Sequence, residues 1–383
     1  MEFLGSVSAG GYSLFGYILP FLAILTVVVF IHELGHYLVA RWNKVDIDAF
    51  AIGFGPQIIG FDDKHGTRWK LCAIPLGGYV KFAGDANAAS VPDHERLKNM
   101  TEEQKAGSFE HKTVGQRAAV VVAGPVANFI LAILIFAGSF YFLGRFVTDP
   151  VVTQVVEESA AEKAGVLAGD IIKKVDGVEI ANFRDIPRIV APKHGVELIF
   201  TIDRNGKLLE LPITPKRTEQ TDQFGNVNRV GVIGIISRAE EANVRKKEYG
   251  ALEALGAGVG ETVYIIQRTF QYLGGIFTGR ESVDQLSGPI GIAKISGDVA
   301  TLGITALISL AAILSVSIGL LNLFPVPMLD GGHLVFYAYE AIVGKPMNPK
   351  AQEYGFRFGF VLLISMMLFA THNDIVNRLG IFN

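Results

Sequence analysis

Residues 12–40 read YSLFGYILPFLAILTVVVFIHELGHYLVA, and the rest of the chain is best read outward from this stretch. From Phe3 to Ile31 there is no charge; His32-Glu33-Leu34-Gly35-His36 then puts three ionisable residues into five positions. A helix of about 20 mostly apolar residues crosses a bilayer. The run is too long for a signal-peptide core of about 7–15 residues, and Met1-Glu2 supplies no basic segment before it. A retained transmembrane helix is therefore expected within residues 1–44. Ionisable side chains inside a membrane are costly and mark function by default. Two histidines four residues apart share one helical face and can grip one Zn²⁺, while Glu33 between them can act on a water. A polar cluster that merely joined helices would need only one or two neutral groups.

The 383 residues are 50% hydrophobic and 19% charged, with 26 Phe, and the mean hydropathy is +0.37. Soluble domains carry about a quarter charged residues. A net charge of −3 is too small to argue for nucleic acid. The single cysteine, Cys72, excludes an internal disulfide framework and reads as a small buried apolar residue.

Two further runs, 118–144 and 299–323, are long enough to span, and a shorter one covers 354–370. Residues 334–343 are too short. The fold expected is a polytopic α-helical membrane protein of about four transmembrane helices, with a membrane-associated β-sheet and one inserted extracytoplasmic domain. The loop after the first span carries Arg41, Lys44, Lys64, Arg68, Lys70 and Lys81, which puts it in the cytoplasm and both termini outside. In order, the segments expected are the first helix (1–44), a cytoplasmic-side β-hairpin region (45–83), a polar cytoplasmic loop (84–114) and the second helix (115–145). An extracytoplasmic domain with a trailing strand (146–240) and amphipathic surface helices (241–298) come next. The third helix (299–333) is followed by an interfacial helix, a fourth span and a tail (334–383).

Within the inserted domain, Ser159-Ala-Ala-Glu-Lys-Ala-Gly-Val-Leu-Ala-Gly-Asp170 precedes a strand and an Asp176-Gly177 turn, with a helix from about Phe183 to Val190. Residues 150–215 thus resemble a bacterial PDZ domain, with Val166 where Leu is commoner. Such domains bind extended peptides by strand addition. A small insert with no ligand is the plainer alternative.

A catalytic zinc needs three protein ligands and an open position. Asn322-Leu-Phe-Pro-Val-Pro-Met-Leu-Asp-Gly-Gly-His333 ends the third span, and the first and third spans run in the same direction, so this end shares the depth of His32 and His36. Both Asp330 and His333 qualify as the third ligand. Pro325 and Pro327 break the helix, and Gly331-Gly332 is expected to let the backbone turn.

Together, H-E-x-x-H in the first helix, the PDZ-like insert, N-x-x-P-x-P-x-L-D-G, Pro75-Leu-Gly-Gly-Tyr-Val80 and Gly124-Pro-Val-Ala-Asn128 resemble the site-2 protease family of the bacterial regulator-of-sigma-E type. The resemblance covers essentially the whole chain. It implies zinc on His32, His36 and Asp330, Glu33 as catalytic acid/base and Asn322 on the substrate backbone. It also implies regulated proteolysis of single-span inner-membrane substrates, such as anti-sigma factors and remnant signal peptides, with the PDZ domain in the periplasm. One departure is the single PDZ domain where the enterobacterial type has two. The alternative is a non-catalytic PDZ-bearing membrane scaffold.

Overall fold

In lipid a backbone has to satisfy its own hydrogen bonds, and the long uncharged runs do so as helices. The computed structural model describes residues 14–85, 93–221, 227–237, 244–279, 281, 283 and 286–378. The expected outward N-terminus with Tyr12 and Ser13, the loop residues 86–92 and the last five residues lie outside them. The long helices are α1 (Leu14–Trp42), α2 (Val114–Leu143), α3 (Ala251–Phe277), α4 (Pro289–Thr301), α5 (Ile304–Asn322), α6 (Asp330–Val343) and α7 (Pro349–Asn373). Among the described residues, four stretches are long and apolar enough to cross a membrane: Phe15–Trp42, Val114–Leu143, Ile304–Asn322 and Pro349–Val376.

Two of these differ from the sequence expectation. The run read as one span from Val299 breaks at Leu302 and Gly303, where Gly303 takes a φ of 102° that other residues avoid. It also stops at Asn322, and Asp330 opens a separate helix rather than ending the span. The fourth helix is longer than 354–370 because Pro349 sits in its first turn and the Asn348 side chain caps the Lys350 N–H. The polar loop 84–114 contains two short helices, His94–Lys98 capped by Asp93 and Glu102–Gly107 closed by a Thr101/Gln104 capping box.

The chain divides into two units. One holds the described residues up to Ala137, with Leu255–Thr269 and those from Leu286 onward; the other holds Gly138–Ala254 and the described part of Phe270–Gln285.

In the first unit, β1 (Ile47–Asp62) and β2 (Arg68–Phe82) form an antiparallel hairpin that folds across itself. Residues 49–52 pair with 78–81 on one side and with 68–71 on the other, while 57–62 pair with 68–72. The doubling-back needs left-handed backbone at Gly53 and Gly55, with φ of 83° and 85°. Residues 78–82 are left as an edge, paired on one side only among the described residues. The hairpin is pinned to α1 by an aromatic core of Tyr37, Phe50, Trp69 and Phe82, joined by Phe109 and Val120. Asp63 accepts from Tyr37 Oη at 2.8 Å, Trp69 Nε1 at 3.1 Å and the His65 and Thr67 N–H groups. Burial disfavours its charge, but these bonds prevail and hold the carboxyl well below the usual range. Cys72 is buried, as its composition suggested.

Helices in lipid gain nothing from apolar contact alone and pack through small residues. A Cβ at Gly35 would strike the Ala123 carbonyl and lie 2.7 Å from Ala127 Cβ, so α1 and α2 approach backbone to backbone. A Cβ at Gly319 of α5 would lie 3.1 Å from Asn128 Cβ. The middle of α3 approaches α2 at Gly258, where a Cβ would be 2.7 Å from the Ile133 carbonyl.

The second unit is built on a four-stranded antiparallel sheet. Its strands are β3 (Arg145–Thr148), β4 (Gln154–Val155), β5 (Ile171–Val175), β6 (Val178–Glu179), β7 (Leu198–Arg204), β8 (Lys207–Ile213), β9 (Lys216–Thr221), β10 (Val227–Val232), β11 (Ile235–Ile236) and β12 (Val244–Lys247). The sheet order is β6-β5-β7-β8, with β9–β10, β4–β11 and β3–β12 as separate pairs. Val152, Ile172, Leu198, Phe200, Ile202 and Ile213 form the core, with Ile186 and Val190 from the short helix Asp185–Val190. From residue 216 to 240 the described residues hold three strands, β9 to β11, where one trailing strand within 146–240 was expected, and β11 returns to pair with β4. Residues 244–247, read as part of a helix, are a strand on β3.

Candidate active site

His32 and His36 are both buried on one face of α1, their Nε2 atoms 3.2 Å apart. Asp330 completes the group: Oδ2 lies 3.2 Å from His32 Nε2, and Oδ1 lies 3.5 Å from His36 Nε2. The three are the described residues whose donor atoms converge as a possible metal site, within 4.8 Å of one another. Two ligand atoms on a tetrahedral zinc, each about 2.0–2.1 Å from it, are about 3.3 Å apart. The two histidine nitrogens are spaced as two such ligands, and the Asp330 carboxylate faces both of them, one oxygen toward each. The donor set fits in a second way: Asp330 Oδ2 is buried and accepts no hydrogen bond, which is costly unless a cation takes its charge.

Local backbone geometry delivers the carboxylate. After α5 ends, residues 323–329 fold back, with Met328 at φ 85° and the Leu329 N–H bonded to the Val326 carbonyl at 3.0 Å. A Cβ at Gly331 would strike the carbonyls of Leu323 and Phe324, and one at Gly332 would lie 2.5 Å from the Val326 carbonyl. The paired glycines thus allow a close crossing of backbone over the first turn of α6. They do not make the turn expected of them, since both lie inside the helix.

The ligands open on a cavity of about 260 Å³. Its walls include Glu33 from α1, Asn322 from the end of α5 and Gly77, Gly78 and Tyr79 from the edge strand. A Cβ at Gly78 would lie 3.1 Å from Glu33 Cγ, so the strand runs directly beside the glutamate. His333, the rival third ligand, lines the cavity too, but its ring packs 5.5 Å from Phe356 and it is not part of the metal-ligand group.

From the sequence, Asn128 of α2 could equally pack helices together or line the site, and Gly124-Pro125 reads as a kink. His36 Nδ1–H donates to the Val120 carbonyl at 2.9 Å, and Asn128 Nδ2 lies 3.2 Å from His32 Nδ1. Gly124 sits between them; a Cβ there would collide with the His36 ring and come within 2.9 Å of His32 Cε1. An asparagine inside an apolar span was the available signal, and only the contact shows what it faces.

The chain is similar in sequence to known proteins over nearly its whole length. Residues 20–366 match Peptidase family M50. A protein of Agrobacterium fabrum that carries the name of a zinc metalloprotease, Atu1380, is 52% identical over 98% of this chain and 100% of its own. R01501 of Rhizobium meliloti, named in the same way, is 51% identical over 94% of this chain and 96% of its own. Metalloprotease MmpA of Caulobacter vibrioides is 41% identical over 94% and 95%. A solved PDZ domain of an SdrC-like protein from Listeria innocua overlaps 23% of the chain at 26% identity and a TM-score of 0.19, too slight to assign the fold of that segment. With nearly full coverage of both chains, a group of three donors that can hold a metal and four helices apolar enough to span, the chain belongs to Peptidase family M50, the site-2 protease family, and is a zinc metalloprotease of the membrane.

Proposed function

We propose that this enzyme cuts peptide bonds within or at the edge of transmembrane segments of single-span proteins in a bacterial inner membrane, as a step of regulated intramembrane proteolysis. The observation that carries the reading is the position of His32, Glu33 and His36 inside a helix apolar enough to span, facing a cavity. Zn²⁺, when bound, lowers the pKa of water and polarises a carbonyl. His32, His36 and Asp330 are its ligands in this proposal. Glu33 takes a proton from the attacking water and returns it to the leaving amide nitrogen. Asn322, on the cavity wall, holds the substrate backbone.

A substrate helix hides its amides in its own hydrogen bonds, so it has to unwind before attack. The edge strand at 78–82 offers unpaired backbone beside Glu33 on which an unwound segment can pair. Substrates of this kind are anti-sigma factors trimmed on their outer side and remnant signal peptides. The second unit acts as a periplasmic PDZ domain on the substrate's outer segment.

The test is Glu33→Gln in the full chain. Zinc content should stay at one ion per chain while cleavage of a single-span substrate falls by at least about 10²-fold, the low end for a lost general base. Undiminished cleavage would sink the mechanism, and a wild-type protein that holds zinc but cuts no membrane substrate would favour the scaffold reading.

A further inference from the structure

The helix α2 supplies no metal ligand, yet both ligand histidines turn their second ring nitrogen toward it. His36 meets a backbone carbonyl, at Val120, which can only accept. Its Nδ1 therefore carries the proton, and the Nε2 lone pair is free for a cation. His32 meets Asn128, whose amide can donate or accept. Which tautomer His32 adopts depends on which way that amide faces.

We propose that Asn128 is the positioning residue of His32: its Oδ1 accepts the Nδ1–H and so presents the Nε2 lone pair to zinc. This rests on the zinc-site reading above. Three observations carry it. Asn128 is fully buried, so water cannot replace it. Its Oδ1 has no hydrogen-bond partner, while its Nδ2 lies 3.2 Å from His32 Nδ1. The two ends of an amide are nearly alike in shape, and a half-turn about the last side-chain bond brings the orphaned oxygen to the ring nitrogen. In the metal-free protein the same amide can donate to Nδ1, leaving the proton on Nε2, 3.2 Å from Asp330 Oδ2. One buried side chain thus serves both the empty and the loaded tautomer.

Asn128 lies where α2 packs against α5. Ser315 Oγ of α5 donates to its backbone carbonyl at 2.8 Å, and Gly319 leaves room for its Cβ. Val120 and Asn128 are eight residues apart, about 12 Å along α2. The Nδ1 atoms of the two histidines are drawn toward these two points, and the Nε2 atoms converge over Gly124 between them. Pro125 has no N–H for the Val121 carbonyl and loosens this turn of α2, next to the carbonyl that His36 uses.

The experiment measures zinc affinity of the full chain in detergent by competition with a chromogenic chelator, and the visible absorption of the cobalt-substituted protein. Asn128→Ala should weaken zinc binding by about 10–100-fold, the usual loss when a partner of a ligand histidine is removed, and alter the cobalt bands. Asn128→Asp, which keeps an acceptor, should restore much of the affinity. Ser315→Ala removes the neighbouring helix bond but not the amide, and should bind zinc as the wild type does. Unchanged affinity and cobalt spectrum in Asn128→Ala would overturn the proposal, as would an equal loss in Ser315→Ala, which would make the effect one of packing. Absence of zinc from the wild type would overturn the metal-site reading itself, and this proposal with it.

Discussion

Arg117 Nη2 donates to Glu340 Oε1 at 2.7 Å, and this bond ties the first turn of α2 to the helix that carries Asp330. The guanidinium also lies over the Tyr337 ring, 4.9 Å from its centre, and within 3.9 Å of Glu110. Removing one partner of a buried pair costs about 3–5 kcal/mol. Glu340 keeps slight exposure, so Arg117→Ala should cost about 3 kcal/mol in denaturant unfolding of the solubilised protein. Because α6 positions the carboxylate, zinc content should fall too. A Glu340→Gln variant should lose less, since its amide still accepts.

Gly124→Ala adds one methyl group where the His36 ring now lies. The rings have to move, and misplacement by about 1 Å can cost about 10²-fold in rate. Cleavage should fall at least that far, with zinc content reduced and the far-ultraviolet dichroism unchanged. Normal cleavage in this variant would mean that α2 stands further from the histidines than described.

The second unit contains its own pH-sensitive bond. Asp170 is buried and accepts from Arg204 Nε and Nη2, both at 2.7 Å, and from the Leu167 N–H at 2.8 Å. Burial disfavours its charge, but these bonds outweigh that and hold the carboxyl below the usual range. A folded value below the unfolded one, about 3.9, contributes stability above that pH and loses it as pH falls through the folded value. Hydrogen-exchange protection of β5 and β7 in the full chain should decline below about pH 4, and Asp170→Asn should remove that part of the decline.

Orientation can be read from labelling. In a Cys72→Ser background, a cysteine at Lys64 should resist membrane-impermeant reagents in intact cells, and one at Asn205 should react. The reverse pattern would invert the proposed topology and put the zinc cavity at the outer face.

Thr148 and Val244 are paired at the point where β3 leads into the rest of the second unit and β12 returns from it. Residues 149–243 can therefore be replaced by Asn-Gly, a sequence suited to a two-residue hairpin turn. Zinc content should not change. Cleavage of a substrate already trimmed on its outer side should persist, and cleavage of an untrimmed one should rise, as expected if the domain excludes bulky outer portions. A fall in both, with zinc unchanged, would show that the domain recruits.

The legible parts of this protein are those whose signal is local. His32, Glu33 and His36 stand out because charge inside an apolar run has to be explained, and Asp330 because it is the first charge after the uncharged stretch that begins at Val299. The break at Gly303 was hidden, because hydropathy continues across it and a glycine's φ leaves no compositional trace. Residues 244–247 read as helix because their strand partner lies about a hundred residues earlier in the chain, and pairing at that distance is invisible to periodicity. Gly331 and Gly332 looked like a turn for a similar reason: what they accommodate is a backbone crossing, not a change of direction. Asn128 was visible as a polar residue in a span, but only its distance to His32 separates a ligand's partner from a bond between helices.

The contact of Gly35 with Ala123, and the bond from Ser315 to Asn128, hold α1, α2 and α5 together without using any of the three ligand side chains. Packing through small residues suffices to assemble helices in lipid. Loss of zinc should therefore leave α1, α2 and α5 assembled, with the two histidines still on one buried face.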